Sequence, residues 1–394
     1  MIPWFGRVGR RLAVDILHPS CAGLDVHKKS VTACVTRLVD GELLKETREF
    51  DTMTGGILAL ADWLEQLGVR QVAMESTGVY WKPIFNLLED RFEVMVVNAQ
   101  HIKRVPGRKT DVKDAEWIAQ LLQHGLLAPS FIPPPPFREL RDLTRCRTQL
   151  VRQRATVANR IQKELEDANI KLASVASDIL GASGQAMIEA MIAGDDDPAE
   201  LADLAKRRLR EKIPQLQKAP RGRVTEHHRF VLRSFMDQVR HLDQQIARFD
   251  ERIGELTTPL AEAKTRLQTI PGVGPASAEV IVSEIGVDMS RFPTSGHLSS
   301  WAGMSPGNDE SAGKRRNAKT TKGNRWLRST LVQVAWAATH TKATGFQAMY
   351  GRWVKRMGKK KALVALGHKI LVLVHKLLTT GTDYQEPELP PQLA

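Results

Sequence analysis

Cysteine, acid and unbroken apolar runs are all scarce in this 394-residue sequence. The three cysteines, Cys21, Cys34 and Cys146, form no CxxC pair. That argues against a disulfide framework and a structural zinc site, and it suits a reducing cytoplasm. Asp and Glu number 44 against 57 Lys and Arg, a formal net charge of +13. The surplus points to a polyanionic partner, nucleic acid before a membrane surface, although solvated faces are often basic too. Residues 1–11 carry charges with no apolar stretch behind them, so no secretory leader is expected. The apolar run from Ala362 to Leu378 is broken by Gly367, His368, Lys369, His375 and Lys376. It reads as a buried or amphipathic helix and not as a membrane span. What is present is a 42% hydrophobic fraction and enough length for two or three domains.

Residues 1–20 read as an arm. Cys21 to Val26 reads as a strand ending in Asp25, and Ser30 to Leu38 alternates as a second strand. Asp40-Gly41 signals a hairpin, with a third strand running to Phe50. Helical periodicity over Gly55–Leu67 precedes a short strand, Val72–Met74, that delivers Glu75. A helix over Val79–Leu88, a strand over Glu93–Val97 and a helix over Asp111–His124 follow. Three antiparallel strands and then alternating helix and strand is the order of an RNase H-like α/β domain, placed at residues 21–132. Pro133 to Pro136 reads as a stiff spacer opening a helical, coiled-coil region over residues 133–265. There Leu232, Phe235, Val239, Leu242, Ile246, Phe249, Ile253 and Leu256 step by threes and fours, an a/d seam within the chain or between chains. Residues 181–229 carry no readable chemistry.

A mostly helical third region spans residues 266–394. Ile270-Pro271-Gly272-Val273-Gly274-Pro275 has the form of a helix-hairpin-helix turn, whose glycines would let backbone N–H groups approach a DNA phosphate. The plainer reading is a tight helix connection. Trp301-Ala302-Gly303-Met304-Ser305-Pro306 leads to Glu310-Ser311-Ala312-Gly313 and then to Lys314, Arg315, Arg316, Lys319, Lys322 and Arg325. Helices are expected at 323–340, 344–357 and 360–380.

Asp111 and Asp114 stand three residues apart, on one face of a helix. Taken alone they read as a solvated face. Asp25 and Glu75 at the ends of two core strands change that: four carboxylates from distant segments would converge into a cage for Mg²⁺ or Mn²⁺. Asp15, Asp40, Asp51 and Glu116 neither end a core strand nor share that helix face.

Leu24-Asp25-Val26-His27-Lys28, Glu75-Ser76-Thr77-Gly78-Val79-Tyr80 and Lys109-Thr110-Asp111-Val112-Lys113-Asp114, in that order, resemble the DEDD transposases of the insertion-sequence one-ten family, the bridge-RNA-guided recombinases. The resemblance covers nearly the whole chain. It implies a RuvC-like domain, a coiled coil and a transposase domain, with Mg²⁺ at the four acids. It further implies a serine that forms a phosphoserine link to DNA. Ser311, after Glu310, matches that position, with Ala312-Gly313 where the family keeps a tighter Ser-Gly pair. Donor and target DNA, a structured non-coding guide RNA, a dimer or tetramer with a shared site, and a nucleoid-associated cytoplasmic setting in bacteria are implied as well. Without the resemblance Ser311 reads first as a loop serine contacting phosphate. Ser305, before Pro306, is the alternative nucleophile, while Ser299 and Ser300 read as packing positions. Competing readings are a RuvC-like metal nuclease on branched DNA with no covalent intermediate, and a non-catalytic nucleic-acid scaffold.

Overall fold

The computed structural model describes residues 16–76, 78–98, 114–220, 222–306, 320, 322–342 and 344–386, and the backbone alone of 309–311 and 314–317. The chain divides into two compact units between Ile132 and Pro133.

The first unit is built on a five-stranded mixed sheet. Strands β1 (Ser20–Val26), β2 (Ser30–Val39) and β3 (Glu42–Asp51) form an antiparallel meander. Asp40 and Gly41, both left-handed at φ 51 and 84, make the two-residue turn between β2 and β3. Helix α1 (Thr54–Gln66), strand β4 (Gln71–Glu75), helix α2 (Trp81–Leu88) and strand β5 (Glu93–Val97) come next, and β4 and β5 run parallel to β1. The sheet order is β3-β2-β1-β4-β5. Helix α3 (Asp114–Gln123) completes the described part of the unit.

The two-residue period of a strand sorts this core into layers. Leu24 and Val26 of β1 and Met74 of β4 pack with Ile57, Leu60, Leu64, Ile84 and Leu88 of α1 and α2. Cys21 and Ala73 point to the opposite face, where they meet Ile118, Leu121 and Leu122 of α3.

The second unit is helical. Helix α4 (Pro135–Asp167) begins inside the proline run, with Pro135 and Pro136 in its first turn. The run is therefore not a free-standing spacer: fixed φ and a missing N–H cost nothing at the start of a helix. Helices α5 (Leu172–Val175), α6 (Ala182–Ala193), α7 (Pro198–Asp203) and α8 (Ile213–Leu216) lead to α9 (Glu226–Thr257). Asp167 meets His228 at 3.1 Å, Arg154 meets Asp243 at 2.5 Å and Arg147 meets Asp250. Position falls on one helix as it rises on the other, so α4 and α9 are antiparallel. The a/d seam faces this same chain. Leu232, Val239 and Leu242, with Met236, are buried against Val157, Ile161 and Leu165 of α4 and Met187, Ile188 and Met191 of α6. Ile246, Phe249 and Leu256 are half-buried.

Beyond α9 lie α10 (Ala261–Gln268), α11 (Pro275–Ile285), α12 (Ser295–Trp301), a hairpin of β6 (Asp309–Ser311) and β7 (Lys314–Asn317), α13 (Arg325–Thr339), α14 (Gly345–Met357) and α15 (Lys359–Thr380). Leu267, Ile281, Leu298, Leu331, Ile370 and Leu371, all fully buried, line the interior of these helices. Among the described residues α15 is the one helix long and apolar enough to cross a membrane.

Candidate active site

Asp25 and Glu75 are placed by strand pairing. β1 and β4 run parallel with Leu24 opposite Met74, so the next residues on each, Asp25 and Glu75, are neighbours at the same edge of the sheet. By parity Asp25 shares its face with Cys21 and Gly23, and Glu75 shares its face with Ala73, the face covered by α3. Asp114 opens α3, where a carboxylate is favoured by the positive end of the helix dipole. Asp111 lies outside the described residues. Among the described residues no three His, Cys, Asp or Glu side chains come together as metal ligands. Asp25, Glu75 and Asp114 would offer carboxylate oxygens, donors that suit a hard ion such as Mg²⁺. Glu116 is engaged elsewhere, accepting from Lys45 at 2.5 Å.

Two features of this edge were not singled out from sequence. His27 sits across the turn with Nε2 3.2 Å from Asp25 Oδ2, and 27% of the Asp25 side chain is exposed. Gly23, two residues before Asp25, sets how closely α3 approaches. A Cβ there would fall 2.3 Å from both the Ala115 carbonyl oxygen and the Ala119 nitrogen, so only glycine admits the helix at this distance.

In the second unit Ser311 ends β6 and pairs with Lys314, the first residue of β7, and Glu310 pairs with Arg315. Ala312, Gly313 and Lys319 lie outside the described residues. The base of the hairpin is tightly closed. Pro306 bridges Thr320, and a Cβ on Gly323 would lie 2.2 Å from the Gly303 nitrogen, so the incoming and outgoing backbones touch. Ser305 and Met304 donate their N–H groups to the Ser299 carbonyl, which makes Ser305 part of the turn that ends α12. Ser299 is fully buried.

A buried acid holds this base to the helices. Glu284 of α11 is completely shielded from solvent and accepts hydrogen bonds from Nε and Nη2 of Arg145, at 2.7 and 2.8 Å. Arg141 approaches it at 3.4 Å and also donates to the Ser283 and Glu284 carbonyls. Burial pulls the Arg141 guanidinium down to about 10, opposed by the Glu284 charge. Asn324, the first residue after the hairpin segment to join this network, donates Nδ2 to Glu284 at 2.6 Å. Its Oδ1 accepts from the Trp326 and Leu327 N–H groups and caps α13. Arg328 donates to the Gly303 carbonyl at 3.3 Å from the other side. Sequence gave little warning of this network, because Arg and Glu at helical spacing ordinarily mark a solvated face.

The turn from Thr269 to Gly274 joins α10 to α11. Gly272 is left-handed at φ 87, and its close approach is to α13: a Cβ would lie 2.5 Å from the Val334 carbonyl. The Gly274 N–H is taken by Ser277 Oγ at 2.9 Å. Lys322 and Arg325 are exposed beside the hairpin, and Arg325 and Arg152 lie over the Trp326 ring at 4.9 and 5.4 Å.

Comparison with known proteins adds to this geometry. Residues 22–170 match a family model for the DEDD type of transposase, and residues 264–351 match one described as the transposase IS116/IS110/IS902 family. Together they take in more than half of the chain and leave 1–21, 171–263 and 352–394 unmatched. A putative transposase of Sinorhizobium fredii, y4pF/y4sB, is 28% identical over 331 residues, 80% of this chain and 75% of that protein. The pilin gene-inverting protein of Moraxella bovis is 27% identical over 202 residues, 48% of this chain and 60% of that protein. An uncharacterized 43.6 kDa protein of insertion element IS110 in Streptomyces coelicolor is 30% identical over 122 residues, 30% of this chain and 29% of that protein.

Proposed function

Because the chain belongs to the IS110 family of transposases and is an enzyme acting on DNA, we propose that it moves its own DNA element by RNA-guided strand exchange through a covalent phosphoserine intermediate. In this reading the first unit is a RuvC-like domain whose Asp25, Glu75, Asp111 and Asp114 hold Mg²⁺ or Mn²⁺. The second unit carries Ser311 as nucleophile, with a helix-hairpin-helix at Gly272 and Gly274 and phosphate contacts from Lys314, Arg315, Arg316 and Lys322. The observation that carries it is the parallel register of β1 and β4, with Leu24 opposite Met74, which brings Asp25 and Glu75 to neighbouring strand ends on the face covered by the helix that begins with Asp114.

A divalent ion bound to these acids supplies charge stabilisation at phosphorus and at the attacking and leaving oxygens. The chain's own residues do the rest. Ser311 Oγ loses its proton as it bonds to the scissile phosphorus, and the departing sugar oxygen breaks away and takes up a proton. The DNA is left joined to the serine as a phosphodiester. A strand hydroxyl from the partner duplex then attacks that phosphorus, a DNA phosphodiester forms, and the serine hydroxyl is restored. Bond energy is retained throughout, so rejoining needs no ATP. The cations that follow Ser311 neutralise phosphate charge, and the pinched base at Gly303 and Gly323 fixes where the hairpin starts. The pilin gene-inverting relative is named for an inversion, an outcome that requires rejoining and not hydrolysis alone.

The test is denaturing electrophoresis of a trapped reaction, with peptide mapping of the adduct. Wild type is expected to give a protein–DNA adduct on the peptide containing Ser311. Ser311→Ala is expected to give none while still binding DNA, and Ser305→Ala is expected to retain exchange. Cut strands with no adduct in wild type would identify a RuvC-like nuclease instead.

A further inference from the structure

The positive charge of this protein is concentrated in one place. Between residues 311 and 382 there are sixteen Lys and Arg and not one Asp or Glu. Against +13 for the whole chain, the other residues together carry −3. Part of this charge follows Ser311 and belongs to the reading above. The larger part does not. It gathers where α14 ends and α15 begins, in Arg352, Lys355, Arg356, Lys359, Lys360 and Lys361, all of them exposed.

Their placement is electrostatically uneven. Lys355 and Arg356 occupy the last turn of α14, where cations are favoured by the negative end of the helix dipole. Lys359, Lys360 and Lys361 occupy the first turn of α15, at the positive end of its dipole, where no acid and no side-chain cap offsets them. Three lysines there are unfavourable for the free protein and favourable once an anion is present. The charge then continues along α15. From Ala362 to Leu378 every residue is buried or half-buried except Lys369 and Lys376. Lys361, Lys369 and Lys376 follow one another by eight and seven residues, so they share a face and stand roughly 10–12 Å apart at 1.5 Å per residue. The result is a line of cations over two helices with no acid among them.

We infer that this α14–α15 ridge is a binding surface for the phosphate backbone of duplex DNA, separate from the hairpin that carries Ser311. The inference goes beyond the proposed chemistry: it rests on the enzyme acting on DNA and on none of the roles given to Ser311 or a guide RNA. A polybasic stretch beside an apolar helix also suits an anionic membrane. Burial decides against that occupant. The apolar side chains of α15 that would enter a bilayer, including Leu366, Ile370, Leu371 and Val374, are spent on the core of the unit. What is left at the surface is a row of lysines spaced for a repeating polyanion. Such contacts position the DNA without reading its sequence.

The test is fluorescence anisotropy with a short non-cognate duplex as salt is raised. Each lost phosphate contact makes the dependence of log affinity on log salt shallower by about 0.9. Replacing Lys359, Lys360 and Lys361 together by Gln is expected to make the slope shallower by about 2 to 3 and to weaken binding at low salt at least tenfold. Lys369→Gln with Lys376→Gln is expected to remove a further ~1 to 2 from the slope. Thermal melting of the Lys369 and Lys376 variant should match wild type, because both residues are exposed, and the lysine triple should melt no lower, because its cations oppose the α15 dipole; if the lysine triple fails to fold, Arg352→Gln with Lys355→Gln provides the same reading. The control replaces Lys206, Arg207 and Arg208, exposed cations elsewhere in the unit, by Gln and is expected to leave the slope unchanged. An unchanged slope in the ridge variants would overturn the inference, as would an equal drop in the control. So would a ridge defect seen with structured RNA or with phosphatidylserine vesicles while duplex binding stays intact. Because the readout is binding alone, an inactive Ser311 would not affect it.

Discussion

Gly23 and Asn324 are single residues that fix local geometry in each unit, one by admitting α3 against β1 and the other by tying the start of α13 to Glu284. A side chain at Gly23 would strike the α3 backbone at Ala115 and Ala119, so Gly23→Ala must push the helix and Asp114 away from Asp25. A displacement of about 1 Å at a reacting centre costs on the order of 100-fold in rate. Gly23→Ala is therefore expected to lower strand cleavage by about that factor with DNA affinity retained, measured by single-turnover cleavage beside a binding isotherm; wild-type cleavage would show that α3 does not position the site. Asn324 separates capping from linkage. Ser in its place still caps α13 but has no amide to donate to Glu284. Asn324→Ser is expected to cost about 1.5–3 kcal/mol by urea denaturation, the range for a hydrogen bond to a charged group. Glu284→Gln, which strips the counter-charge from Arg141 and Arg145, is expected to cost about 3–5 kcal/mol. Wild-type stability in Asn324→Ser would show that the cap and not the link matters. Asp25 and Glu75 were legible in the sequence because apolar runs that end in a carboxylate announce strand ends. Gly23 was not, since a glycine inside an apolar run gives no sign of what presses against it. Glu284 was hidden for the opposite reason: its type suggests the surface, and only the tertiary fold buries it.

At the level of elements, the β2–β3 hairpin and the five core strands were legible because alternation and the Asp40-Gly41 turn are local signals. The partner of the α9 seam was not, because a heptad pattern specifies an apolar stripe and not what covers it. Here α4 and α6 cover its first half. Leu242 is 9% exposed in that interface, and Leu242→Asp would bury a charge there. The expected result is a loss of about 2–5 kcal/mol, the range for large core truncations, read as a lower urea midpoint. A stable fold with a halved solution mass would place the seam between chains instead. The proline run misled for a related reason: four prolines favour extended structure, but Pro135 and Pro136 also fit the first turn of α4.

For the molecule as a whole, a surplus of +13 and the proposed guide RNA make a joint prediction. Protein purified at low salt is expected to carry one discrete structured RNA, a non-coding transcript of its own element. Sequencing of the bound RNA checks this, and a random cellular population would remove the guide from the proposal while leaving DNA strand exchange in place. The first half of the seam is buried within the chain, so a dimer or tetramer must use other surfaces than Leu232 to Leu242, and light scattering of wild type measures its size. The antiparallel pairing of α4 and α9 has a consequence for descent. The chain travels out along α4, and at the far end Asp167 and His228 meet at 3.1 Å. It then travels back along α9 by nearly the same distance. An insertion between those two residues would leave the point where α10 begins in place, provided Met187, Ile188 and Met191 stayed against the α9 seam. Residues 168–225 are thus a bay that can grow outward at its loops, but not be emptied, while the helices on either side stay in step.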